Sequence, residues 1–151
     1  MSDRRTPRLS PEVRPGSICL AEPAEGQPAF VLVVERLDNP EYVRYALLSN
    51  EVELRTDADF IVSREESGLP FELVVQCDLL GWVEVARLTA WGTVGEETLA
   101  RVTIGEVGGR DARCGLPYVD GQRDPRWNWK LDQLAVAHRV SATAHARLTG
   151  L

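Results

Sequence analysis

The chain has 151 residues, 44% of them apolar and 26% charged, which suits one folded domain with appendages and excludes a wholly disordered protein. Its longest apolar run, Ala29 to Val34, is far short of the roughly 20 residues of a membrane span. The polar, arginine-bearing segment Met1 to Arg14 lacks the apolar centre of a secretory signal, so no membrane association is expected and the expected location is cytoplasmic. The net charge of −6 is unevenly spread: residues 15–122 hold 8 basic against 19 acidic residues, residues 1–14 hold 4 against 2, and residues 123–151 hold 5 against 2. An acidic centre repels a polyanion at long range. RNA is therefore disfavoured as a partner, although a small local basic patch is compatible with this balance.

Residues 1–12, with Pro7 and Pro11, read as a flexible arm. The turn Arg14-Pro15-Gly16 leads into a short apolar strand, Ser17 to Leu20. Glu22 to Pro28 holds two prolines and a glycine and reads as a loop. Ala29 to Val34 is a continuous apolar run rich in valine, as in a strand covered on both faces. Asp38-Asn39-Pro40 marks a turn, and Tyr42 to Ser49 is the next strand. Val52 and Leu54 fit a short edge strand or hairpin arm, and Phe60 to Val62 a further strand. Asp57 and Asp59, like Glu65 and Glu66, read as solvated loop acids. Ser67-Gly68-Leu69-Pro70 turns the chain into a buried-type strand, Phe71 to Cys77, and Trp82 to Val85 alternates as a half-exposed strand does.

The periodicity then changes. Glu96-Glu97 opens a helix whose acidic first turn favours the helix dipole, and Gly105, Gly108 and Gly109 end it. Residues 108–123 read as a loop. Asp124-Pro125 restarts a helix, with Asp as N-cap and Pro at the first helical position. On it Trp127, Leu131, Leu134 or Ala135, His138 and Ala142 fall on one stripe. Trp127 is thus expected to pack inward, Trp129 to stay partly exposed, and His138 and His145 to serve helix packing. Cys19, Cys77 and Cys114 have no C-x-x-C spacing and read as reduced structural thiols. No metal site and no cofactor is expected. Many short strands followed by helices imply a mainly β (α+β) fold, a small, strongly curved antiparallel barrel with helices at its end.

Three stretches resemble the PemK/MazF toxin family. Arg14 to Glu22 (RPGSICLAE) resembles the family's opening R-G-D-I-W-x-A-D, and Ala29 to Val34 matches its R-P-V-L-V-L strand in apolar character. Ser67-Gly68-Leu69-Pro70 leads through Asp78 and Val83 to Arg87-Leu88 with the spacing of S-G-L-P-x-x-S-x-x-x-x-D-Q-x-R-T-V-D-x-x-R-L. Gly95 to Val102 resembles the family's terminal helix. The resemblance covers residues 13–107 and leaves residues 124–151 as an added C-terminal helical extension. It implies the SH3-like barrel of the PemK/MazF/CcdB toxins, a homodimer, and an antitoxin-like protein or peptide as partner.

The resemblance also implies a chemistry: metal-independent cleavage of single-stranded RNA, in which a 2′-hydroxyl attacks the adjacent phosphate. Such a site needs positive charge on the phosphate and groups to move the proton. The family supplies an arginine before its V-L-V strand and a Ser or Thr at the end of a following strand. Here the arginine position falls at Gln27 or Pro28, and Leu79 to Trp82 replaces the polar Q-x-R-T. Ser49 fits the hydroxyl position, and Arg36 and Arg44 are the candidates for a relocated cation. Each lost charged contact costs about 3–4 kcal/mol of transition-state stabilisation. The expectation is therefore a degenerate toxin-like module that binds protein and dimerises. The alternative is an active endoribonuclease using Ser49 with Arg36 or Arg44. Trp82, Trp91 and Trp129 are the candidate partner-binding residues, because exposed aromatics concentrate in interface hot spots. Trp82 and Trp91 are otherwise expected in the core.

Overall fold

The structure, a computed structural model, describes residues 13–108 and 125–149. The arm at 1–12, Cys114, the loop before the last helix and its expected Asp124 cap lie outside the described residues. The strands are β1 (Ser17–Ala21), β2 (Ala29–Arg36), β3 (Tyr42–Ser49), β4 (Asp59–Val62), β5 (Leu73–Glu84) and β6 (Leu88–Thr93). The helices are α1 (Arg64–Ser67), α2 (Glu96–Gly108) and α3 (Pro125–Thr149). All strand pairings are antiparallel, in the order β4-β5-β3-β2-β1-β6. β4 and β6 are the two edges, so the expected barrel is a six-stranded sheet that does not close.

The valine-rich β2 run explains the layering. Val31 and Val33 belong to one buried cluster together with Val43, Tyr45 and Leu47 of β3, and Ala137 and Val140 of α3. Leu32 and Val34 belong to the opposite cluster, with Ala46, Leu48, Leu73, Val75 and Val102 of α2. The strand alternation thus supplies two cores, one under each long helix. This is why the central strands read as continuously apolar.

Three local features depart from the sequence expectation. Val52–Leu54 is a 3-10 turn, not an edge strand. The two strands expected at Phe71 to Cys77 and Trp82 to Val85 are one, β5, because the chain stays extended through Gly81. β5 is also bulged: Ala46 pairs with Leu80, but Leu47 pairs with Gln76, so Cys77 to Leu79 have no Cα partner on β3. Such a bulge bends a strand and re-aims its side chains. The Ser67–Pro70 turn follows its expectation. Ser63 caps α1 by accepting from the Glu66 N–H, and Gly68 ends it at φ +80°, where a Cβ would be strained.

α3 is turned relative to its expected stripe. Trp129, Lys130, Ala137, Val140 and Ala144 are buried, whereas Leu131, His138 and Ala142 are exposed. The buried stripe is displaced by about one residue, roughly 100° of helix. Trp129 packs inward and Trp127 is only half-buried, the reverse of the expected pair. The physical reason is the charged residue at the centre of the face, Lys130.

Candidate functional site

Ser49 ends β3 and is half-buried; its hydroxyl accepts the Glu51 N–H at 3.1 Å. The β2–β3 pairing ends with Val31 opposite Leu47, two residues before Ser49. The exposed Gln27 and Pro28, where the resemblance expects an arginine, lie just before β2, at the end of the sheet where β3 finishes in Ser49. Arg36 and Arg44 gather at the opposite end of β3: Arg36 pairs with Val43, and Arg44 with Glu35. The five residue steps from Arg44 to Ser49 span about 17 Å of strand. The Arg36 guanidinium donates to the Val13 carbonyl at 3.2 Å, and that of Arg44 lies 3.8 Å from the Glu35 carboxylate. The three candidate catalytic residues thus occupy two separate ends of one strand.

The groups that reach the Ser49 end come from α3. The Trp129 indole N–H donates to the Glu51 carboxylate at 2.6 Å, and Arg126 donates to the Arg55 carbonyl at 3.1 Å. The segment that follows Ser49 is therefore held from above by the first turns of α3. Trp129, a candidate partner-binding residue, is only 7% exposed and is spent inside the chain.

The most charged buried constellation was not foreseen. Lys130 Nζ donates to Asp59 Oδ1 at 2.8 Å, Asp78 Oδ1 at 2.7 Å and Gln76 Oε1 at 2.8 Å, which uses all three N–H bonds. Gln76 is itself oriented by donating to Gln133 Oε1 at 2.8 Å. Asp59 Oδ2 accepts the Thr56 N–H and hydroxyl. Asp59 is therefore a buried ion-pair partner, not a solvated loop acid. Burial raises its carboxyl pKa, Lys130 opposes this, and the nearby Asp78 carboxylate adds to the rise. One sequence signal was available: Lys130 is the only lysine beside 16 arginines. A compact ammonium can serve three separate acceptors, which a planar guanidinium fork does less well.

Further along α3, Tyr45 donates its hydroxyl proton to the Ala137 carbonyl at 3.0 Å. Its 2.7 Å contact with Ser141 Oγ is then donated by Ser141. Burial pushes the Tyr45 hydroxyl up to about 12, against the lowering effect of Ser141. Gly81 lies beneath: a Cβ there would collide with Ser141 Oγ and the Tyr45 hydroxyl. A cleft of about 480 Å3 opens here, lined by Arg44, Trp82, His138, Ser141 and His145 among others. Trp82 is half-buried, and its ring stands nearly parallel to that of His145, centroids 6.4 Å apart.

Trp91 differs from its expected core position. It is 50% exposed on the edge strand β6, edge-on to Phe30 at 5.3 Å, and Phe30 in turn meets Phe71 at 5.6 Å. The Cys19 and Cys77 thiols are each pushed up to about 12, chiefly by burial, with Asp59 and Asp78 adding to the rise at Cys77. Thiolate chemistry at either is thereby suppressed. Among the described residues no three His, Cys, Asp or Glu side chains gather as a metal site would require, and no helix is long and apolar enough to cross a membrane.

No protein-family model and no curated protein matches the chain. Solved structures do. The Mycobacterium tuberculosis toxin MazF-mt6 superposes with a TM-score of 0.52 at 20% identity, over 63% of this chain and 96% of that one. A structure described as an Mtb toxin matches with a TM-score of 0.45 at 18% identity, over 60% and 97%. Nearly the whole of MazF-mt6 is thus accommodated within this chain, with a third of the chain to spare. With a six-stranded antiparallel sheet, a short turn-forming helix and a helix after the last strand, the chain has the fold of the MazF/PemK-like toxins.

Proposed function

We propose that this chain is a toxin–antitoxin-type MazF/PemK-like module that acts by binding protein and by pairing with a second copy of itself, and no longer cleaves RNA. The observation that carries the reading is the separation at β3: Ser49 lies at one end beneath α3, while Arg36 and Arg44 lie at the other. At the end of β3 that carries Ser49, the neutral Gln27 and Pro28 precede β2, and two residues after Ser49 comes the Glu51 carboxylate, which accepts from the Trp129 indole. Neither neutral residue can stabilise a developing dianion, and the carboxylate opposes it. Trp91, half exposed on the β6 edge and backed by the partly buried Phe30 and Phe71, supplies an aromatic anchor of the kind protein interfaces use. An antitoxin-like peptide is the proposed partner of the paired module.

Two measurements test this. Unstructured single-stranded RNA incubated with the full chain and a chelator is expected to stay intact. Light scattering is expected to give the mass of two chains, reduced to one by Trp91→Ala. Metal-independent cleavage that disappears in Ser49→Ala would establish the endoribonuclease instead. A monomer at every concentration would remove the self-pairing half of the proposal.

A further inference from the structure

The cleft beside α3 offers a chemistry unrelated to the Ser49 end of the sheet. β4 pairs only with Leu73 to Gln76. Beyond the bulge β5 therefore has no strand on its outer side among the described residues, and the cleft opens along that edge. β3 contributes Arg44, β5 contributes Gly81 and Trp82, and α3 contributes His138, Ser141 and His145. Arg44 and Trp82 are opposite one another in the register, so guanidinium and indole start from the same face of adjacent strands. A second lobe of about 260 Å3 adjoins, sharing Arg44, His138 and Ser141 with the first. In a chain of net charge −6, a cleft edged by one arginine and two histidines is a local exception.

The donors and the rings are segregated. His138 and His145 lie seven residues apart, two turns and about 10 Å along one helix face. At the His145 end stands the Trp82 indole, its plane within 17° of the imidazole. The ring separation of 6.4 Å is only slightly less than twice the roughly 3.5–4.0 Å of a carbon–carbon contact. A small turn of the exposed His145 side chain makes room for a third flat ring. Arg44 and His138 line both lobes, whereas Trp82 and His145 line only the first, and the Arg44 fork suits a phosphate. Ser141 Oγ, its proton already given to Tyr45, faces the cleft as an acceptor for a ligand N–H or O–H. Of the carboxylates nearby, Asp78, which lines the second lobe, is bound to Lys130, and Glu35 lies 3.8 Å from Arg44, so a phosphate shares that guanidinium with it.

We propose that this cleft binds a nucleoside monophosphate, with the base against Trp82 and His145 and the phosphate at Arg44 and His138. The cleft volume lies within the roughly 300–1,000 Å3 of small-molecule sites, and the spacing of its two ends matches a ring and a phosphate joined by a sugar. This site shares Arg44 with the β3 separation on which the protein-binding reading rests, but it uses neither Ser49 nor the Trp91 cluster, and it stands or falls separately from the RNA-cleavage assay.

Calorimetric titration of the full chain with 5′-AMP, 5′-UMP, adenosine and inorganic phosphate tests it. At least one nucleotide is expected to bind with a dissociation constant of about 1 mM or tighter, and about tenfold more tightly than adenosine or inorganic phosphate. Trp82→Ala and Arg44→Gln are each expected to weaken that binding about tenfold, while Glu65→Gln, on α1, leaves it unchanged. Should Trp82→Ala fail to fold, Arg44→Gln and His138→Gln carry the decision, with circular dichroism to show that they are folded. Nucleotide binding no tighter than that of inorganic phosphate, or unaltered in folded Arg44→Gln, overturns the proposal.

Discussion

Replacing Lys130 with methionine removes one charge and leaves two behind. The side chains of Asp59 and Asp78 are 0% and 2% exposed, so neither carboxylate can recover water without movement of α3. Breaking a buried ion pair from one side costs about 3–5 kcal/mol, because the remaining charge is uncompensated. For a chain of this length that corresponds to a fall in Tm of about 10 °C. Urea denaturation, followed by tryptophan fluorescence and far-ultraviolet circular dichroism, measures it. Trp129 is the neighbour of Lys130 and reports the same helix by its indole contact with Glu51. The triple variant K130M/D59N/D78N is the necessary companion. Without charges the site needs only ordinary hydrogen bonds, so most of the loss is expected to return. A single variant within about 0.5 kcal/mol of the parent, or a triple variant no better than the single, would refute the claim that this cluster docks α3.

Four other outcomes follow from the same geometry. Gly81→Ala is expected to force α3 away from β5 at a cost of about 1–3 kcal/mol, because the new Cβ meets Ser141 and Tyr45; urea midpoints measure it. Tyr45→Phe leaves the Ala137 carbonyl and the Ser141 hydroxyl without their partner and is expected to cost about 1–3 kcal/mol, read from the same curves. The Asp59 pKa is raised above its ordinary 3.8, so the folded chain holds that proton more tightly than the unfolded one. Its contribution is then full below the unfolded pKa and is lost as pH rises through the folded pKa. The stability of the parent minus that of Asp59→Asn is expected to increase as pH falls across this window, and a decrease would show that the cation dominates burial. Ser49→Ala removes only the acceptor for the Glu51 N–H, and its urea midpoint is expected to shift by less than about 1 kcal/mol.

The sheet was legible where local chemistry and tertiary packing agree. β2 and β3 announce themselves through β-branched and apolar runs between turn residues, and Gly68 through its place before Leu69-Pro70. The fit to MazF-mt6 was foreshadowed by the Ser67 to Leu88 spacing, which fixes a turn and a strand and not a reaction. The failures share a cause. The burial of the Asp59 carboxylate and the phase of α3 both go with one buried contact between residues 71 positions apart. A lysine interrupts a hydrophobic stripe, so periodicity assigned it to solvent and took Trp127 and Leu131 as the inward face. Trp91 misled for the opposite reason: a large aromatic on a strand reads as core, yet an edge strand has a face with nothing to cover it.

The isolation of Lys130 has a practical side. The chain has no other lysine, and this ammonium is 1% exposed with every N–H engaged. Acylating enzymes, amine-reactive dyes and lysine-directed cross-linkers therefore find no lysine to modify while α3 is seated. The side chain becomes nucleophilic only when the helix lifts and the ammonium can lose a proton. The rate of its acylation thus counts helix openings directly, at a single residue, in a mixture or in a cell extract.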